Sequence, residues 1–279
     1  MTIIDGKKIA GEILANLKKL PKPKKFLAAV LVGNDRSSIS FLSQKEKTAK
    51  ELGVDFRLYK LPADIKTDEL RKEIGRLAGA ANCGGFIVQL PLPEHVNRRY
   101  VLNAIPQDKD VDVLSEKARE AFSRGESRVI PPSIAVVEEI AKGQKTNLRE
   151  SKVLAIGSGV LVGKPIGEWL RGKAKDVFVV DEFSGDFRNQ LSDTDIVISG
   201  VGKASLFNGR EVKEGALVID FGYNTRETRD EKGEMRKEIA GDFDPAGADE
   251  NRVFYTPTPG GTGPILVAKL FENFYKLNS

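Results

Sequence analysis

The order of apolar and amphipathic segments is the feature that most constrains this 279-residue chain. Three short apolar runs, residues 26–33, 54–61 and 84–90, are separated by segments in which apolar residues recur every three or four positions. The runs predict buried strands, and the segments between them predict amphipathic helices. Strand–helix–strand alternation favours a parallel sheet, because helical crossovers connect parallel neighbours.

A second series of the same kind occupies the later half of the chain. Its apolar runs are residues 152–157, 176–180, 195–200 and 216–222. We interpret residues 105–126, which separate the two series, as a polar loop followed by a helix near 132–143. The sequence therefore predicts an α/β protein of two lobes with a cleft between them. Ligands in such folds bind beyond the carboxyl ends of the strands.

Composition excludes several classes of protein. The formal charge of +4 is small and scattered, which does not favour nucleic acid binding. Cys83 and His95 are the single residues of their types, so neither a disulfide framework nor a Cys/His metal site is expected. His95 reads as an exposed histidine. With neither a long apolar span nor a signal peptide, we predict a soluble cytoplasmic protein that binds no membrane.

The stretch GSGVLVGKP, residues 157–165, lies between a predicted strand and a predicted helix. Gly157 and Gly159 permit a tight turn, and the helix that follows offers its amides to a phosphate. Glycines also occur in ordinary strand-to-helix turns, but this context favours a dinucleotide. Val162 stands where a small residue is usual, and Gly163 comes one place late. We therefore expect a variant loop, in which the helix does not approach the strand in the usual way.

The next predicted strand ends in Asp181 and Glu182. A carboxylate at this point accepts hydrogen bonds from ribose hydroxyls and repels a 2′-phosphate; the alternative is a solvated acidic turn. Ser158 follows the first glycine, where an arginine would grip that phosphate. Both features favour NAD over NADP.

Four other stretches carry candidate functional residues. Phe41 and Lys45 are four apart on one helix face. Gln89 ends a strand within VQLPLP, and KDVD supplies Asp110 and Asp112. TPTPGGTGP, residues 256–264, precedes the last helix. Read singly, each has an ordinary explanation as a surface lysine, a charged turn or a helix entry.

Read together with IIDGKKIA, GKP and VIDFGYN, these stretches resemble the bifunctional methylenetetrahydrofolate dehydrogenase/methenyltetrahydrofolate cyclohydrolase family nearly end to end. The resemblance implies oxidation of methylenetetrahydrofolate with NAD(P)+ and hydrolysis of methenyltetrahydrofolate to formyltetrahydrofolate. It also implies a three-layer α/β folate-binding domain, residues 1–130 plus 262–279. A Rossmann-type NAD(P)-binding domain would comprise residues 131–261 and form homodimers.

The resemblance also assigns roles to residues. Lys45 matches the catalytic lysine of ring opening, Gln89 the glutamine that positions it, and Asp112 the carboxylate that binds the pterin. Phe41 would stack on the folate, and the substrate loop contains Pro259, Gly260 and Gly261. The cofactor-binding residues implied are Gly157, Ser158, Gly159, Val162, Gly163, Asp181 and Gly222.

Several positions depart from the family pattern. Phe41 replaces a tyrosine whose hydroxyl would join the lysine network. The other departures are Val113-Leu114-Ser115 for Gly-Phe-His, Ser158-Gly159 for Arg-Ser, Pro131-Pro132-Ser133-Ile134 for Pro-Cys-Thr-Pro, and Ile265-Leu266 for Met-Thr. Three alternatives stay open: a dehydrogenase with impaired cyclohydrolase, a noncatalytic folate- or nucleotide-binding protein, and a dehydrogenase of another small acid. VQLPLP with KDVD speaks against the last of these.

Overall fold

A computed structural model describes residues 1–181, 183–229 and 235–279. Its strands are β1 (Thr2–Ile3), β2 (Phe26–Val32), β3 (Phe56–Leu61), β4 (Cys83–Val88), β5 (Lys152–Ile156), β6 (Asp176–Val180), β7 (Ile196–Ser199), β8 (Phe207–Asn208), β9 (Leu217–Asp220), β10 (Asn224–Arg229), β11 (Met235–Ala240), β12 (Phe243–Asp244) and β13 (Phe254–Tyr255). Its helices are α1 (Gly6–Leu17), α2 (Arg36–Leu52), α3 (Thr67–Ala78), α4 (Arg98–Leu102), α5 (Glu116–Ser123), α6 (Pro132–Gly143), α7 (Gly163–Leu170), α8 (Arg188–Leu191) and α9 (Thr262–Leu277).

The chain divides into two compact units. We call Ala10–Pro132 with Val267–Ser279 the three-stranded unit, and Met1–Ile9 with Ser133–Leu266 the six-stranded unit. Both contain parallel sheets connected by helices, so the predicted α/β class with a Rossmann-type domain is confirmed. In the ranges that the structure describes, no helix is both long and apolar enough to cross a membrane.

The three-stranded unit is built around β2, whose seven residues are all buried between β3 and β4. Side chains of a strand alternate between faces, so the even-numbered residues of β2 pack with Leu70 and Ile74 of α3. The odd-numbered residues from position 27 pack with helices α2 and α9 on the opposite face. The sheet is thus covered on both faces, which gives three layers.

Helix α2 has clear signals at both ends. The Asp35 carboxylate accepts a hydrogen bond from the Ser38 amide at its start, at 2.7 Å. Gly53 ends the helix in the left-handed conformation, with φ 65°, where a glycine is favoured. Phe41 and Lys45 lie on this helix one turn apart, and therefore on the same face.

The six-stranded unit has the strand order β1-β13-β9-β7-β5-β6, with every pair parallel. The chain moves from β5 outward to β6 and then returns to place β7 on the other side of β5. The carboxyl ends of β5 and β7 therefore flank a topological switch point, where doubly wound sheets bind ligands. Met1–Ile9 belong to this unit, because β1 pairs with β13.

The predicted polar loop over residues 105–126 is wrong in its second half, which forms helix α5. The Ser115 hydroxyl caps this helix by accepting from the Ala118 amide at 3.4 Å. The antiparallel hairpin of β10 and β11 is likewise absent from the sequence prediction. Charged residues dominate both segments, so their apolar periodicity is too weak to indicate an element.

Candidate active site

The amine of Lys45 is held by the end of a neighbouring strand. Its Nζ atom donates a hydrogen bond to Oε1 of Gln89, at 3.1 Å, and both side chains are half-buried. The Gln89 amide nitrogen donates in turn to the Leu90 carbonyl at 2.8 Å, which fixes which end of the amide faces the lysine. Helix α2 supplies the lysine and strand β4 leads directly into the glutamine, so regular elements position both residues.

Asp112 lies close enough to Lys45 for their charges to interact. Burial lowers the pKa of the Lys45 ammonium, and the negative charge of Asp112 opposes part of that change. Burial likewise raises the pKa of the Asp112 carboxyl, against the positive charge of Lys45. For both groups, the effect of burial on the pKa is larger than the effect of the opposite charge. The lysine is thus brought towards the range in which it can both give and accept a proton.

Asp110 shapes the loop that presents Asp112, a role for which the sequence offers no signal beyond a charged turn. The Asp110 carboxylate is buried and accepts from the amides of Leu114 and Ser115, at 2.7 to 3.2 Å. Val113, which directly follows Asp112, has φ 56°, a backbone conformation that residues with side chains rarely adopt. Within the described residues, no hydrogen bond reaches the Asp112 carboxylate, so its oxygens remain available to donors of a ligand.

The glycine loop after β5 makes a close contact that the sequence analysis does not anticipate. A Cβ atom on Gly163, the first residue of α7, would lie 1.7 Å from the Gly157 carbonyl oxygen. The helix therefore does approach the strand closely, and the expectation based on Val162 is wrong. Gly163 provides the small residue one place later, while Val162 turns its side chain towards Gly200. Gly157 has φ 100°, which favours glycine.

Ser158 and Asp181 lie together beside this loop. The pKa of Asp181 is lowered first by the Ser184 hydroxyl, then by the Phe183 amide, with a further contribution from the Ser158 hydroxyl. The two hydrogen bonds from Ser184 and Phe183 both reach Oδ1, at 2.8 and 3.0 Å. Neither of these hydrogen bonds uses Oδ2, and the lowered pKa keeps the carboxylate ionised. Glu182, the alternative acidic residue, lies outside the described residues.

Gly222 lies against two buried carboxylates, those of Asp220 and Asp242. Its amide donates to Asp220 at 2.6 Å, and a Cβ there would lie 2.3 Å from Oδ1 of Asp242. The Thr258 hydroxyl donates to its carbonyl oxygen at 3.4 Å. Gly222 therefore connects the end of β9 to the Pro/Gly-rich loop.

That loop is tightly packed where its glycines lie. A Cβ on Gly261 would lie 2.5 Å from the Pro257 carbonyl oxygen, and one on Gly6 would lie 1.7 Å from the carbonyl oxygen of Gly261. Gly260 has φ 105°, and Pro259 follows a cis peptide bond. The six-stranded unit thus contains Pro259, Gly260, Gly261 and every predicted cofactor residue, whereas the three-stranded unit contains Phe41, Lys45, Gln89 and Asp112.

The glycine loop has the shape that a dinucleotide requires. A Cβ built on Gly159 would meet no atom within 4 Å, so the loop before α7 has open space for a phosphate at this residue. The loop lies at the switch point of a parallel sheet, and Asp181 directly follows the adjacent strand β6. These residues fit NAD(P).

Comparison with known proteins agrees with both units. The family model for the tetrahydrofolate dehydrogenase/cyclohydrolase catalytic domain matches residues 4–112, and that for the NAD(P)-binding domain of the same enzymes matches residues 131–279. The bifunctional protein FolD of Bacillus licheniformis is 34% identical over 281 residues, covering 99% of this chain and 96% of the relative.

Solved structures of the same kind superimpose over the whole chain. The bifunctional FolD dehydrogenase/cyclohydrolase of Campylobacter jejuni has a TM-score of 0.88 and 30% identity, covering 100% of this chain and 98% of that one. The enzyme of Trypanosoma brucei, solved with NADP and an inhibitor, has a TM-score of 0.89 and 26% identity, covering 99% and 96%. The family predicted from the sequence is confirmed. The chain belongs to the tetrahydrofolate dehydrogenase/cyclohydrolase family, whose NAD(P)-dependent members oxidise methylenetetrahydrofolate and hydrolyse methenyltetrahydrofolate.

Proposed function

We propose that Lys45 is the proton-transferring residue of ring opening in this bifunctional enzyme, that Asp112 binds the pterin, and that NAD+ is the preferred oxidant. The observation that carries the proposal is the contact of Lys45 with Gln89, together with the opposing charge of Asp112. In this assignment the three-stranded unit binds folate and the six-stranded unit binds the dinucleotide.

Ring opening needs a group that both accepts and returns a proton. Water adds to the methenyl carbon, and the carbon–nitrogen bond breaks as the added hydroxyl becomes the formyl C=O. One of the two water protons leaves to solvent, and the other ends on the released nitrogen. Lys45 is suited to move that proton, because burial lowers the pKa of its ammonium towards the working pH. Gln89 holds the amine in one place by accepting its hydrogen bond.

Asp112 is suited to bind two adjacent donors. A carboxylate presents two oxygens, and the pterin amino group and its neighbouring ring N–H form a matching pair. Lys45 favours the ionised form of Asp112. Phe41, one turn before Lys45 on α2, supplies a ring for stacking.

The dinucleotide would be held by Gly157, Gly159 and Gly163 at its phosphates and by Asp181 at its ribose. When bound, NAD+ accepts the hydride from methylenetetrahydrofolate. We infer that NAD+ is preferred over NADP+, because Asp181 stays ionised and would repel a 2′-phosphate. Ser158 offers that phosphate no positive charge. Val162 and Gly222 would shape the walls of the cofactor site.

The test of the proposal follows both steps in one sample by absorbance, with NAD+ and NADP+ compared at equal concentration. We expect NADH to form without accumulation of the methenyl compound. Lys45→Met should abolish hydrolysis of added methenyltetrahydrofolate and leave the oxidation measurable. Lys47→Met, an exposed lysine on the same helix, is the control and should keep both rates. Full hydrolysis by Lys45→Met would overturn the assignment of the lysine.

The cofactor preference has its own variant. Ser158→Arg should improve kcat/KM for NADP+ by about tenfold, the effect of about 1.4 kcal/mol from one charge-assisted hydrogen bond. The value for NAD+ should change little. A preference for NADP+ in the unaltered enzyme would contradict the role given to Asp181.

We further propose that the enzyme is a cytoplasmic homodimer associated through strand β6. Among the described residues, β5 is the only strand that pairs with β6, so its outer edge is open. Phe178 and Val179 on this strand are 44% and 37% exposed. An open edge carrying apolar side chains favours pairing with a second chain. Such a dimer agrees with the homodimer that the family resemblance implies.

A further inference from the structure

We infer that Asp242 is a positioning residue that holds the loop after β7, residues 200–203, in the conformation required to bind the dinucleotide. We call these four residues the β7 loop, because they follow Ser199 at the carboxyl end of β7. The inference rests on the proposed dinucleotide site and concerns a carboxylate for which neither the mechanism nor the family resemblance gives a role.

Four donors converge on the Asp242 carboxylate. Oδ2 accepts from the Ser199 hydroxyl at 2.6 Å and from the Val201 amide at 2.8 Å. Oδ1 accepts from the amides of Gly202 at 2.9 Å and Lys203 at 2.8 Å. Asp242 itself is 0% exposed. A buried carboxylate needs such donors to replace its lost water, and here three of the four are consecutive amides of one loop.

The β7 loop lies where a dinucleotide must pass. The carboxyl ends of β5 and β7 flank the switch point of the sheet, and each continues into a glycine-containing loop. The two loops touch: a Cβ on Gly157 would lie 3.3 Å from both the Gly200 carbonyl oxygen and Cγ2 of Val201. On Gly200, a Cβ would lie 2.8 Å from a methyl carbon of Val162. A shift of the β7 loop would therefore change the wall of the phosphate-binding loop.

Glycines leave room for this carboxylate and for the acid beside it. A Cβ on Gly222 would lie 2.3 Å from Oδ1 of Asp242, and one on Gly241 would lie 2.0 Å from Oδ2 of Asp220. Asp220 accepts from the Gly222 and Phe243 amides rather than from the β7 loop. The two buried acids therefore have separate donors. Asp242 accepts from three consecutive amides of the β7 loop, while the Asn224 side chain donates to the Gly202 carbonyl oxygen and the Gly200 amide donates to the Ile156 carbonyl oxygen.

The function of this arrangement is preorganisation. The amides of residues 201–203 point to Asp242, so the loop has one conformation before any ligand arrives. A loop that must be ordered on binding reduces affinity by the entropy it loses. The contribution of Asp242 should therefore appear in the affinity for the dinucleotide. Hydrolysis of methenyltetrahydrofolate, which uses no dinucleotide, should be unaffected.

The experiment compares Asp242→Asn with Asp244→Asn in the full chain. Asp244 is the matched control, because its carboxylate accepts from the Ala246 amide and pairs with Arg226 instead. Asparagine keeps one acceptor oxygen, so Asp242→Asn should lose the hydrogen bonds that one carboxylate oxygen accepts. We expect NAD+ binding, measured by calorimetry without folate, to weaken by about tenfold. NAD+ binding by Asp244→Asn should stay within about twofold of that of the unaltered chain. The methenyltetrahydrofolate hydrolysis rates of both variants should also stay within about twofold.

Hydrogen exchange measured without NAD+ provides the second readout. The amides of residues 201–203 should exchange faster in Asp242→Asn than in the unaltered chain, while those of β9 keep their protection. Ser199→Ala removes one donor and keeps the carboxylate, so it serves if Asp242→Asn does not fold. Ser199→Ala should also weaken NAD+ binding and speed exchange of the β7 loop amides, both by less than Asp242→Asn.

Unchanged NAD+ affinity in a folded Asp242→Asn or Ser199→Ala variant would overturn the inference. So would unchanged exchange of the β7 loop amides. Equal losses of NAD+ binding and of methenyltetrahydrofolate hydrolysis would also overturn it, because they would indicate general destabilisation. If the unaltered chain itself bound no dinucleotide, the proposed function would fail first, which is a distinguishable result.

Discussion

At the scale of single residues, the lysine network lacks a hydroxyl that the family pattern contains. Phe41 lies one turn before Lys45 on α2, and it replaces the usual tyrosine. The amine still has Gln89 as an acceptor and Asp112 as an opposite charge. The contacts that hold the lysine amine are therefore present without this hydroxyl.

Phe41→Tyr tests whether that hydroxyl limits ring opening. One additional hydrogen bond of about 1 kcal/mol in the transition state should raise the hydrolysis rate by about fivefold. The oxidation rate should change little. The measurement is methenyltetrahydrofolate hydrolysis, with Phe122→Tyr on α5 as a control for the added hydroxyl. An unchanged rate would indicate that another group or water already performs this transfer.

Asp220 predicts a pH dependence of stability. Burial is the largest cause that raises its pKa to about 7; the charge of Asp242 adds to it, and the Phe243 and Gly222 amides oppose it. The unfolded chain has the ordinary value of 3.8, so between these values the folded protein holds one proton more. The free energy of unfolding should therefore fall as the pH rises through this window, by at most about 1.4 kcal/mol per unit from this group.

Urea unfolding from about pH 5 to about pH 8 measures this effect. Asp220→Asn does not titrate, so its stability should fall less over this range than that of the unaltered chain. The variant has one acceptor fewer and should be less stable overall, but the slope with pH is the readout. Parallel slopes would indicate that Asp220 is ionised throughout the range.

At the scale of elements, the start of α7 depends on one glycine. Gly163→Ala would put a methyl group against the Gly157 carbonyl oxygen, at a point where backbone cannot yield without moving the helix. Alanine normally stabilises a helix by about 1 kcal/mol relative to glycine. Here we expect a loss of about 1 to 3 kcal/mol, because the site is overpacked. NAD+ affinity should fall with it.

Gly159→Ala is the matched control, because no atom lies within 4 Å of a Cβ built there. Chemical denaturation of the two variants gives the comparison of stability. Calorimetry compares NAD+ binding by Gly163→Ala with binding by the unaltered chain, since Gly159 itself belongs to the proposed phosphate-binding loop. Equal stabilities for the two variants would contradict the close approach of α7 to β5. The distinction is invisible in the sequence, where both residues are simply glycines of one loop.

At the scale of the whole molecule, the open edge of β6 predicts self-association. Phe178→Lys places a charge on the outer strand and should convert dimers to monomers, since a lysine on a strand edge opposes pairing. Sedimentation velocity measures the change. Tyr100→Lys, an exposed aromatic residue in the three-stranded unit, is the control and should leave the dimer intact. A monomeric unaltered chain would contradict the proposal directly.

The sequence alone determined the elements and much of the chemistry. Strands β2, β3, β5, β6, β7 and β9 lie within the apolar runs from which they were predicted, and β4 begins one residue before its run. Helix α6 occupies the predicted residues 132–143. Apolar periodicity is a local property, so it is readable without the fold. The pairing of Lys45 with Gln89 was also predictable, since the family motifs carry both residues.

Only the tertiary structure decided which distant groups meet. It joined Met1–Ile9 to the six-stranded unit, made Gly163 rather than Val162 the contact point of α7, and brought Asp242 under the β7 loop. Ser199 and Asp242 are 43 residues apart, and no local pattern relates them. Such contacts arise because packing buries polar groups that must then find partners. That requirement acts on the folded chain as a whole, not on any segment of the sequence.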